Sequence, residues 1–215
     1  MPRHHAPPVT PRPASTLPDV TGRGQPTHVK SRTVARVAAT ALLAACLAAA
    51  PAVQIRSLAP YQATPPDVVD RMLTLAKVGP ADVVYDLGCG DGRIVIAAAQ
   101  RFGARGVGVD IDAALIEKAR ASARAAAVAD RVEFRLQDAL TVDVSDASVV
   151  SLFLLAASNV KLRPILTSQL RPGARIVSHN FPIGDWEPQV VDTFRDDAGA
   201  ARTLYLWTAD GVVRP

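Results

Sequence analysis

The chain has 215 residues, enough for one domain with a sizeable core and additional segments. Its net charge of +4 arises at the amino-terminal end: residues 1–36 hold six Lys/Arg against Asp19, whereas the other 179 hold 18 Lys/Arg against 19 Asp/Glu. That balance argues against a polyanion-binding face, so nucleic acid is not expected as a partner. Two cysteines, Cys46 and Cys89, make no disulfide framework.

Residues 1–33 are proline-rich (Pro7, Pro8, Pro11, Pro13, Pro18, Pro26) and lack apolar periodicity. They cannot bury enough surface to offset the entropy of ordering, and disorder is expected. His4 and His5 are expected to be solvated there, and no metal site is expected in the chain. Residues 34–53 change character: Lys30, Arg32 and Arg36 precede an apolar stretch that ends in small residues, as in a secretory signal. Ala50-Pro51-Ala52 offers a cleavage site, and Leu43-Ala44-Ala45-Cys46 resembles a lipobox. An uncleaved anchor and an ordinary Ala-rich helix remain open. Membrane association or export to a bacterial cell envelope is the expectation for this segment, with catalysis facing the cytoplasm as the alternative.

A globular domain is expected over residues 60–215. Pro66 opens a helix whose apolar residues (Val68, Val69, Met72, Leu73, Leu75) recur through Lys77, ended by Gly79-Pro80. Val83, Val84 and Tyr85 read as the end of a buried strand, and residues 94–102 as a helix. Further strands are expected at 106–109, 132–136, 148–155 and 175–178, with helices at 113–127 and 160–170 between them. Residues 189–194 and 203–208 read as a late hairpin. Strands alternating with helices give a mostly parallel α/β sheet with an antiparallel edge.

Between the first strand and its helix runs Asp86-Leu87-Gly88-Cys89-Gly90-Asp91-Gly92-Arg93. A glycine turn leading into a helix exposes backbone N–H groups to a ligand. It is not the dinucleotide fingerprint, because Arg93 stands where the third glycine would fall. Asp86 ahead of the glycines suits a cationic ligand better than a pyrophosphate. Asp110 ends the second strand about twenty residues after the loop, where a carboxylate can accept two ribose hydroxyls.

DLGCGDGR resembles the first motif of class I S-adenosylmethionine-dependent methyltransferases. The resemblance covers about residues 60–215 and implies their seven-stranded, Rossmann-like fold with S-adenosyl-L-methionine as cofactor. It implies cofactor contacts at Asp86, Gly88, Cys89 and Gly90 in the loop, at Asp110 and Ile111, and at Asp138 and Ala139 after the third strand. Asp112 can simply cap the helix that begins at Ala113, and a helix cap is the alternative for Asp138. After the fourth strand the chain has Leu152-Phe153-Leu154-Leu155. Neither the Pro-Pro-aromatic motif of nucleobase enzymes nor the carboxylates of metal-dependent catechol enzymes is present.

Pro60-Tyr61, Thr64-Pro65, that LFLL run, and Ser178-His179-Asn180-Phe181 with Asp185-Trp186 are similar to a small group of prokaryotic and mitochondrial protein-lysine methyltransferases. The similarity implies a protein substrate and places Tyr61, Asn180, Phe181 and Trp186, with Phe153, near the transferred methyl. Asn180 departs from the acid that relatives often carry, which leaves no evident proton acceptor. Two alternatives stay open: a small-molecule methyltransferase, and an exported protein that keeps the fold without catalysis.

Overall fold

A computed structural model describes residues 57–215 of the chain. The expectations for residues 1–33 and 34–53 lie outside the described residues. Among those described, no helix is long and apolar enough to cross a membrane.

The elements in chain order are α1 (Pro66–Leu75), β1 (Val83–Leu87), α2 (Arg93–Phe102), β2 (Arg105–Asp110), α3 (Ala113–Ala125), β3 (Val132–Leu136), β4 (Val149–Leu152), α4 (Ala156–Gln169), β5 (Arg175–His179), β6 (Val190–Arg195) and β7 (Ala201–Thr208). A single 3-10 turn, Ala139–Thr141, follows β3. The sheet order is β3-β2-β1-β4-β5-β7-β6. The five strands β1–β5 pair in parallel, whereas β7 runs antiparallel to both β5 and β6. This is the seven-stranded methyltransferase arrangement expected from the sequence.

Side chains of a strand alternate between faces, so each central strand feeds two cores. Val84, Val149 and Val177 meet α1, α2 and α3 through Met72, Leu73, Val95 and Ile116. Leu87, Val150, Leu152 and Ile176 meet α4 through Leu162 and Leu166, with Trp207 beside them. Each fully buried Leu, Met or Val contributes roughly 1.5–3 kcal/mol relative to exposure.

Several boundaries differ from the sequence reading, and three have a clear local reason. The first helix ends at Leu75 rather than Lys77, because Lys77 turns to a positive φ of 51° and Val78 N–H closes back on Leu73 O. The fourth strand stops at Leu152 instead of running to Leu155. The helix after it therefore starts at Ala156, four residues earlier than apolar spacing suggests. Its first turn was hidden because what it buries is polar: Ser158 bonds Leu58 O, and Asn159 reaches Ser178 Oγ and Phe181 O.

After β1 the chain crosses to β2 on one side and later returns to β4 on the other. The carboxyl ends of β1 and β4 therefore part at a topological switch point, where open α/β sheets form ligand clefts.

Candidate active site

At that switch point the loop after β1 folds over the end of β2. Gly88 and Cys89 N–H both donate to Val109 O at 2.8 and 2.9 Å, and Gly90 N–H donates to Asp110 Oδ2 at 2.8 Å. Asp110 Oδ1 accepts from Asp112 N–H at 3.0 Å, so the carboxylate is held at the rim with lone pairs to spare. Asp112 caps α3 through Ala114 and Leu115 N–H, and Asp138 caps the 3-10 turn through Leu140 N–H.

Two glycines of the loop have different reasons to be glycine. Gly92 (φ 78°) caps α2, and a Cβ there would lie 2.5 Å from Phe134 and 2.9 Å from Ala119, inside the core. Gly90 (φ 53°) faces outward, and a Cβ there would lie 2.5 Å from the Tyr61 ring.

The loop opens into a cavity of about 490 Å³, within the usual range for small-molecule sites. Its outer wall is a strap, residues 57–64; its floor is the glycine loop; Asp110–Ala113 and Gln137–Ala139 form one end, with Phe153 and Leu154 at the other. Asp86, 3% exposed, lines it and accepts from Ser151 Oγ at 2.7 Å. Burial pushes its carboxyl up to about 7 despite that hydrogen bond, and the charges of Asp110 and Asp91 add to the rise. Asp91 goes the other way: the Arg93 guanidinium holds it down at about 2. Burial raises the Cys89 thiol far above its ordinary value, so Cys89 acts as a small packed residue rather than a nucleophile.

Nine of the twelve sequence-predicted site residues converge here: Tyr61, Asp86, Gly88, Cys89, Gly90, Asp110, Ile111, Asp138 and Ala139 all line the cavity. Phe153 does too, while Asn180, Phe181 and Trp186 do not. Asn180 takes φ 63° and ties β5 to β7, its N–H donating to Thr203 O and its Oδ1 accepting from Thr203 N–H. The Phe181 carbonyl is pinned by Ser178 Oγ and Asn159 Nδ2. Trp186 packs against Trp207, which donates Nε1–H to its carbonyl at 2.8 Å, and Arg214 covers its ring at 4.6 Å. Sequence reasoning missed Ser151, Asp91 and Arg93 as parts of the site. The last two lay in the quoted motif, but nothing in spacing alone shows what a loop side chain will hold.

The chain fits the cofactor expected of it on its own chemistry. The cavity gathers the carboxylates of Asp86 and Asp110, suited to a cationic ligand with ribose hydroxyls, beside the apolar Ile111, Phe153 and Leu154. Comparison with known proteins agrees. Residues 86–190 match the family described as the ANTKMT methyltransferase domain. A protein-lysine N-methyltransferase of Saccharolobus islandicus is 44% identical over 149 residues, which cover 69% of this chain and 92% of that protein. The mouse adenine nucleotide translocase lysine N-methyltransferase is 34% identical over 139 residues, 65% of this chain and 60% of that one. A Salinibacter ruber crystal structure, described as an RNA methyltransferase in complex with S-adenosyl-L-homocysteine, is 52% identical. It has a TM-score of 0.67 and covers 71% of this chain and 97% of its own. Fold and site thus define an S-adenosylmethionine-dependent methyltransferase. The chain belongs to the family that includes these lysine methyltransferases.

Proposed function

We propose that the chain methylates the ε-amine of lysine in a protein substrate. The observation that carries this reading is the apolar end of the cavity, where Phe153 and Leu154 leave β4 without a polar group to recognise a base edge or a catechol. The name of the Saccharolobus relative supports it. S-adenosylmethionine supplies an activated sulfonium methyl, so the protein's task is to position an in-line attack. Asp110 would hold the ribose hydroxyls, Asp138 the adenine amino group through the oxygen not engaged by Leu140, and Asp86 with the glycine backbone the amino-acid end. Tyr61 and Phe153 would flank the reacting groups.

A lysine attacks only as the neutral amine. An apolar wall disfavours the ammonium, and the aliphatic stem packs well against Phe153 and Leu154. The proton is then released to solvent as the amine enters, and no buried base is needed. Delivery of the domain to the cell envelope by residues 34–53 belongs to the same reading, and the amino terminus of the mature protein, whether Met1, Cys46 or Val53, tests it.

The second reading is methyl transfer to RNA, favoured by the description of the Salinibacter structure. The charge of residues 37–215, 18 basic against 19 acidic, weighs against it. One experiment separates the two: incubate the protein with radiolabelled S-adenosylmethionine and cell lysate, then treat samples with ribonuclease or protease. Label that survives ribonuclease, is lost with protease and maps to lysine by mass spectrometry is the expected result. Label in RNA, or only in small metabolites, overturns the proposal.

A further inference from the structure

The strap that forms the outer wall of the cavity belongs to no helix or strand. Among the described residues, the rest of the domain grips its main chain at two points. Ser158 Oγ donates to Leu58 O near one end, and Arg93 Nη1 donates to Thr64 O at 2.8 Å at the other. Arg93 is the first residue of α2, next to the glycine loop. Its guanidinium spends two further donors on Asp91, Nε to Oδ1 at 2.8 Å and Nη2 to Oδ2 at 2.7 Å. Lys118 Nζ lies 3.4 Å from the same carboxylate. One planar group thus binds loop and strap together, with Thr64 and Asp91 both buried.

Tyr61, three residues before the tethered carbonyl, is 48% exposed, yet its ring rests on Gly90, the glycine that faces the cavity. Lys118 Nζ, 3.4 Å from the Asp91 carboxylate, stands 5.9 Å from the Tyr61 ring centroid. The ring therefore rests on the loop it covers, with Lys118 beside it. A ligand seated on the glycine loop would be covered by Tyr61 for as long as the strap stays down.

We propose that Arg93 is a positioning residue for cofactor exchange: its fork latches the 57–64 strap onto the glycine loop, so cofactor entry and product release require the Arg93–Thr64 tether to open. The proposal rests on the assignment of this cavity to S-adenosylmethionine. A lysine at position 93 would keep the charge near Asp91, but a single ammonium cannot reproduce a planar fork that engages a carboxylate and a carbonyl at once.

The test uses the full-length protein and S-adenosyl-L-homocysteine, with the dissociation rate read by stopped flow and the affinity by calorimetry. Arg93→Lys is expected to speed dissociation by about tenfold, the scale of one charge-assisted hydrogen bond, and to speed association too, so that affinity changes less than the rate. Tyr61→Ala, at an exposed position the fold tolerates, is expected to act in the same direction. The double variant should be no worse than the larger single one, because both changes disable one latch. Equal dissociation rates in wild type and Arg93→Lys, or strictly additive losses in the double variant, overturn the proposal while leaving the cofactor assignment intact. A wild-type protein that binds no S-adenosyl-L-homocysteine overturns the assignment and the latch with it.

Discussion

The carboxyl edge of the sheet has two unlike halves. On the β1–β3 side the strands end in acids or lead to them, Asp86, Asp110 and Asp138, and these side chains open into the cavity. On the β5–β7 side the strand ends are closed. Asn180 turns β5 onto β7, and His179 is fully buried with no hydrogen-bond partner at either ring nitrogen. That burial depresses the imidazole to about 4, so it stays neutral, its ring 4.0 Å from that of Phe153. Diverging parallel strands leave a cleft whose polar groups can wait for a ligand. An antiparallel strand laid across the edge must satisfy its own groups, and the same residue types there become structure.

The sharpest way to break this contrast is Trp207→Ala. Trp207 is 1% exposed, and the change should cost about 3–5 kcal/mol of stability, as for other buried aromatic truncations. Urea denaturation reads the loss, and calorimetry on the folded protein should find cofactor affinity little changed. Equal damage to both quantities would mean that the two halves are one unit. Asp110→Ala should do the reverse. Loss of a carboxylate that receives Gly90 N–H and faces the cavity is expected to weaken S-adenosylmethionine binding by about 1.5–3 kcal/mol, with a smaller effect on melting.

Asp86 predicts a pH dependence. Its folded carboxyl titrates near 7, far above the unfolded value, so the folded protein binds a proton that the unfolded chain does not. Stability of the cofactor-free protein should therefore fall as pH rises from about 4 to about 7, and level off above. Asp86→Asn should remove the slope and leave the free protein more stable at pH 8. A cationic ligand favours the carboxylate, so S-adenosylmethionine affinity should rise with pH up to about 7, by at most about tenfold per pH unit. Calorimetry in buffers of different ionisation enthalpy would count the proton released, and finding none would overturn the assignment. The smallest effect is expected for Asn180→Gly. Glycine keeps the positive φ and loses only the bond to Thr203 N–H, about 0.5–1.5 kcal/mol of stability, and leaves cofactor affinity unchanged.

The contrast also explains what the sequence could tell. Most of what depended on local pattern was legible: the existence of the strands, the glycine turn, the acid at the end of β2, the late hairpin. Asp112 and Asp138 were ambiguous between cap and site, and the structure gives both residues both places. Trp186 was not legible, because an aromatic next to a motif says nothing about which way the chain turns after Ile183. The start of α4 was hidden for a related reason. Its first turn buries Ser158 and Asn159, and buried polar residues leave no apolar period to follow. Arg93 showed only as the absence of a third glycine; its partner, Thr64 O, is a backbone atom 29 residues away that no side-chain pattern marks.

The position of β7 has a consequence for how the chain is made. Along the sheet β7 lies between β5 and β6, although it follows both of them in the chain. The parallel core that builds the loop and its acids can assemble from residues already synthesised. β6 has no strand to join until β7 exists, and β5 has an open edge until then, beside His179 and Val177. At about 5–20 residues per second the interval from the end of β5 to the end of β7 lasts a few seconds, during which an apolar strand edge stands unpaired. A chain stalled in that interval would carry most of the cofactor site together with an unpaired apolar strand edge.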